Sequence, residues 1–141
     1  RDNRETGTIT LYFSSDQLRP NSEDIFASVL QDDGTFGPAV FVTELNSSAR
    51  DARPSITKDG LAMYFDSNRL GSLGQDLWVS TRASTSDAWP LPQQLGSVLN
   101  STAVDARPVL SFDGTELYFH SNRTGLGGND IYRSTRTKLM E

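Results

Sequence analysis

The sequence predicts an all-β fold, a segment of a β-propeller built from four-stranded antiparallel blades. Three observations predict it. The chain repeats itself at an interval of 54 residues, each repeat carries the pattern of four short strands, and no stretch shows the 3.6-residue apolar period of a helix. Four-stranded meanders packed radially make a propeller.

The repeat is explicit. DARPSITKDGLAMYFDSNRLGSLGQDLWVSTR at 51–82 lies on DARPVLSFDGTELYFHSNRTGLGGNDIYRSTR at 105–136 with 17 of 32 positions identical, a density that marks two copies of one structural unit. A third, divergent copy precedes them at an offset of 52: Tyr12, Phe13, Ser15 and Asp24 fall on Tyr64, Phe65, Ser67 and Asp76. The chain of 141 residues therefore reads as one domain, with a partial first repeat at 1–50, a full second at 51–104 and a partial third at 105–141.

The elements follow from the second repeat. Pro54–Thr57 is extended, and Asp59-Gly60 is a hairpin turn, since Gly tolerates positive φ. Leu61–Ser67, rich in aromatic and branched residues, is the second strand. Asn68–Gln75, with Gly71 and Gly74, is a loop, and Asp76–Thr81 is the third strand. Trp89–Leu99 is interrupted by Pro90, Pro92 and Gly96, which suits a fourth strand at an edge. In the first repeat Asp32-Asp33-Gly34 is the turn between third and fourth strands. Lettering the strands A to D, the chain runs B-C-D, A-B-C-D, A-B-C: ten strands, about two and a half blades.

Closed propellers have about 4 to 8 blades, so one such chain cannot close a ring. Either the chain is a piece of a longer propeller, or two chains complete a six-bladed ring as a homodimer. Open strand edges template pairing and favour the second.

Composition narrows the function. Hydrophobic residues make up 35% and charged residues 22%, enough apolar material for a packed core. The net charge is −5 and no two basic residues are adjacent, so nucleic acid is not an expected partner. No apolar run approaches the roughly 20 residues that span a bilayer, so no membrane insertion is expected. Cysteine is absent, which removes thiolate chemistry and disulfides.

In an up-and-down meander the connection carrying DARP and the loop SNRxGxxGxxD fall at the same end of the sheet, the DG turns at the other. Asp51, Arg53, Arg69 and Asp76, with their counterparts Asp105, Arg107, Arg123 and Asp130, are thus expected together. Two readings follow. The charges form a recognition face for a protein, small ligand or glycan; or Asp51–Arg69 and Asp105–Arg123 are ion pairs that support every blade alike. A single ligand breaks repeat symmetry, which draws attention to positions that differ between copies: Asp66 against His120, Lys58 against Phe112, Val79 against Arg133. The first copy has Asp16 and Gln17 where Asn68 and Arg69 stand, so its pairing is expected to be lost.

His120 is the only histidine and has no cysteine or second imidazole for metal or nucleophilic chemistry. The acidic residues show no EF-hand spacing. No cofactor is expected, save that Asp51 and Asp105 could hold a calcium ion in a channel. Asn46, Asn100 and Asn122 sit in glycosylation sequons.

The spacing P-x-x-x-x-DG at 54–60 and 108–114, Tyr-Phe-x-Ser-Asn-Arg at 64–69 and 118–123, and Asp-apolar-aromatic at 76–78 and 130–132 resembles the PD40 (WD40-like) propeller repeat of TolB-like proteins. The resemblance covers the second and third repeats well and the first in part. It implies an exported, periplasmic or envelope-associated location and protein partners. The function expected is a non-catalytic binding or scaffold module; the alternative is the propeller portion of a hydrolase, either a peptidase or a carbohydrate-active enzyme.

Overall fold

A computed structural model describes residues 2–3, 7–125 and 127–137, with the backbone alone for Asp2 and Asn3. Residues 1, 4–6, 126 and 138–141 of the first and third repeats lie outside the described residues. The described chain is all-β, without a helix, in three antiparallel sheets.

The first sheet orders β1 (Asp2–Asn3), β2 (Thr8–Ser15), β3 (Asp24–Val29) and β4 (Val40–Phe41). The second orders β5 (Asp51–Ile56), β6 (Ala62–Ser67), β7 (Asp76–Thr81) and β8 (Gln93–Gln94), and the third β9 (Asp105–Leu110), β10 (Glu116–Ser121) and β11 (Asp130–Thr135). Each strand pairs with its sequence neighbour. Two expectations need correction. The first repeat does carry a leading strand, β1, paired through Asp2 with Ile9 and Asn3 with Thr8, so eleven strands are described rather than ten. The expected strand within Trp89–Leu99 shrinks to two residues, because Pro90 and Pro92 remove the donors a longer ladder needs.

Strand edges of successive sheets meet: β5 lies against β2 and β3, and β9 against β5, β6 and β7. Between first and second sheets, Ile25, Leu45, Met63, Phe65, Trp78 and Trp89 form a buried cluster, with Tyr12, Val42 and Ile56 packed on it. Between second and third, Leu77, Leu117 and Phe119 do the same, with Tyr64, Leu95, Leu99, Leu110 and Tyr132 around them. These sets correspond: Ile25 to Leu77, Tyr12 to Tyr64, Met63 to Leu117, Phe65 to Phe119, Leu45 to Leu99. One packing scheme is used twice, the expected economy of repeats that bury apolar faces only against neighbours.

Each connection between sheets is tied the same way. The Asn46 amide accepts from Ile25 N–H and donates to the Ile25 and Val42 carbonyls; the Asn100 amide accepts from Leu77 N–H and donates to the Leu77 and Leu95 carbonyls. A sequon asparagine engaged on both ends is a clamp between two chain segments. Gly60 and Gly114, at φ 77° and 73°, close the DG turns as expected.

Candidate functional site

The repeated charges divide into two groups. Asp51 and Asp105 are wholly buried. Asp51 accepts from Arg69 Nη2 at 2.6 Å, Ser67 Oγ at 2.6 Å, and Ser47 N and Oγ at 2.6 and 2.8 Å. Asp105 accepts from Arg123 Nη2 at 2.7 Å and from Ser101 N and Oγ at 2.6 and 2.8 Å. Arg69 and Arg123 also donate to the Leu45 and Leu99 carbonyls of the preceding connection. Each guanidinium lies over two aromatic rings of its own sheet, Phe65 and Trp78 for Arg69, Phe119 and Tyr132 for Arg123. The geometry of Asp51–Arg69 and Asp105–Arg123 is that of the supporting ion pair.

Burial pushes the Asp105 carboxyl up, but the hydrogen bonds from Ser121, Ser101 and Arg123 outweigh it and hold the group below the usual carboxylate range. Asp51 and Asp105 stand in separate sheets with their oxygens already engaged by cations and N–H or O–H groups, and among the described residues no group of three metal-ligating side chains converges.

In the first repeat the loss of arginine at Gln17 does not leave the loop without a pair. Arg19 makes a two-pronged contact with Asp24 and donates to the Ser48 and Ala49 carbonyls. Asp24 is the counterpart of Asp76. In the second repeat that space is closed by the glycine loop, since a Cβ on Gly74 would stand 3.0 Å from the Ala103 carbonyl. Asp76 is buried; its Oδ2 accepts from Leu73 N–H and Gln94 Nε2, and its Oδ1 meets no partner among the described residues. Asp130, which pairs with Ser121 in the ladder, is half-buried.

The second group gathers at a position that differs in each repeat, Ser14, Asp66 and His120. Arg53 and Arg107 have left-handed backbones, φ 55° and 56°, at register shifts in β5 and β9. For residues other than glycine this is a strained conformation that the surroundings must impose. The Arg107 backbone and the Arg53 guanidinium meet at one buried acid. Asp66 Oδ2 accepts from Arg107 N–H at 2.8 Å and from Arg53 Nη1 at 3.3 Å; Oδ1 accepts from Gln75 Nε2 at 2.6 Å, with Arg50 Nη1 at 3.6 Å. The first repeat has Ser14 at this position, and its hydroxyl accepts from Arg53 N–H at 3.3 Å. The third has His120.

Burial raises the pKa of the Asp66 carboxyl, and the contacts from Arg107, Arg53 and Gln75 offset this only in part. Burial likewise lowers Arg53; Asp66 opposes the shift, while Arg50 and Arg107 add to it by repulsion. Burial lowers His120 too, and Arg107 and Arg53 push further in the same direction, against Asp66 and Asp105. Arg53, Asp66, Arg107 and His120 thus share one electrostatic environment. Sequence reasoning placed Arg53, Arg107 and His120 among candidates and noted the Asp66/His120 difference. It missed Arg50 and Glu23, which form a close ion pair beside them.

Comparison with protein-family models finds no match, and comparison with curated proteins likewise finds none. Among the described residues no helix is long and apolar enough to cross a membrane.

Proposed function

We propose that the chain is a non-catalytic binding and scaffold module, a β-propeller segment of PD40 type whose three sheets are its blades. The observation that carries this reading is the pair of uncovered sheet faces. Met63 and Phe65 are fully buried against the first sheet, but among the described residues no sheet covers their counterparts Leu11 and Phe13, and Leu11 is 44% exposed. Conversely Ile25 and Leu77 are buried between sheets, while their counterpart Ile131 is 80% exposed. Each open face carries the residue types that the other covers inside the molecule.

The two faces differ, so they fit head to tail, and two copies joined twice make a closed pseudo-six-bladed ring. Protein partners and an envelope location follow from the likeness to TolB-like proteins and belong to the same proposal. Light scattering across a concentration series tests it: the reading expects twice the 15.5 kDa chain mass and a return to one chain mass on Ile131→Lys. A wild-type chain that stays monomeric throughout would overturn it.

A further inference from the structure

We propose that Arg53 and Arg107, with His120 beside them, form a site for an anionic oxygen group, a carboxylate or a phosphate. The proposal rests on the reading of the chain as a binding module, but the site lies within one chain and does not require self-association.

The cluster contains three guanidiniums, Arg50, Arg53 and Arg107, and two carboxylates. Arg50 is matched to Glu23, and Arg53 to Asp66. The Arg107 guanidinium is exposed and has no carboxylate among the described residues, although its own N–H is fixed on Asp66. A chain of net charge −5 thus keeps an unneutralised guanidinium on the residue whose own N–H shares Asp66 with the half-buried Arg53 guanidinium, and both residues stand on left-handed backbone in the same motif. Like charges that repel one another, as Arg50 and Arg107 repel Arg53, favour a ligand that relieves the repulsion. Planar guanidiniums select oxyanions, which they can grip with two parallel N–H donors.

His120 reports on the site. It pairs with Ala106, the neighbour of Arg107, in the β9–β10 ladder, and feels the charges of Arg107 and Asp105 on β9, Asp66 on β6 and Arg53 on β5. Without ligand, burial and the two arginines hold the imidazole neutral below its ordinary titration range. A bound oxyanion favours the protonated ring, so its pKa rises; by linkage, anion affinity strengthens as pH falls through that pKa.

As the only histidine, His120 gives an unambiguous NMR titration. The chain is titrated in sodium chloride, then at equal ionic strength in inorganic phosphate and in succinate. Either oxyanion is expected to raise the His120 pKa by about one unit over chloride, and the two arms distinguish phosphate from carboxylate as the source. Arg107→Gln is expected to raise the resting pKa and to abolish the anion-dependent rise. A pKa equal in all three salts would mean screening alone and would overturn the site whether or not the variant folds. Light scattering on the same samples keeps this outcome separate from the fate of the dimer.

Discussion

The interface between the first and second sheets and that between the second and third share a frame but not a filling. Both are tied by a buried aspartate, an arginine stacked on two rings and a clamping asparagine. The first is plugged by Trp89, which lies edge-on to Tyr12 at 6.2 Å and under the Arg82 guanidinium. At the second, Tyr64, Leu95, Leu99, Leu110 and Leu117 line a partly open cleft. The polar frame therefore sets how sheets meet, and the apolar filling sets how tightly. Such a division is expected where hydrogen bonds have direction and hydrophobic burial has none.

Four predictions break or sharpen this comparison. Phe65→Ala, in the plugged interface, should cost about 4 kcal/mol in chemical denaturation, and Phe119→Ala, beside the open cleft, nearer 3, since a site that can relax leaves a smaller cavity. Equal losses would mean that Trp89 adds no tightness. Arg69→Ala should cost about 3 kcal/mol, because it leaves Asp51 buried without its guanidinium partner; an unchanged melting temperature would remove the pair from the frame. Asn100→Ala should cost about 2 kcal/mol by orphaning the Leu77 N–H and two carbonyls, as should Asn46→Ala at the other interface.

The smallest effect is in pH. Asp105 titrates below the ordinary carboxylate range in the folded chain, so its contribution is complete above that range and is lost as pH falls through the folded value. His120 and Asp66 are shifted the opposite way for their types. His120 costs stability once pH drops below its unfolded value near 6.5, where only the unfolded chain takes the proton. Asp66 favours folding at acid pH, and that gain is lost as pH rises through its raised folded value. Melting followed from neutral to pH 5 should lose less in His120→Gln than in the wild type, since only the wild type carries the imidazole that the folded chain keeps neutral.

Much of this was legible in the letters. The DG turns, β6, β7, β10 and β11, and the pairing of Asp51 with Arg69 follow from spacing and residue type. Asn46 and Asn100 read as sequons, yet Leu-Asn-Ser at 45–47 and 99–101 repeats at the same 54-residue interval as DARP, and that was the signal of a clamp. The left-handed Arg53 and Arg107 were not legible, because nothing but tertiary packing puts a non-glycine residue before proline into that conformation. Nor was Arg19, which reaches Asp24 from a position where the other repeats carry Gly71 and Gly125.

The central claim is that the Asp51–Arg69 and Asp105–Arg123 pairs hold the sheets rather than face a partner. A double-mutant cycle over Asp51→Ala and Arg69→Ala, read as unfolding free energy, tests it most directly. The account predicts a coupling on the order of 1–3 kcal/mol, the double variant losing much less than the sum of the singles. Additive losses, or singles without cost, would contradict it and return both residues to a recognition surface.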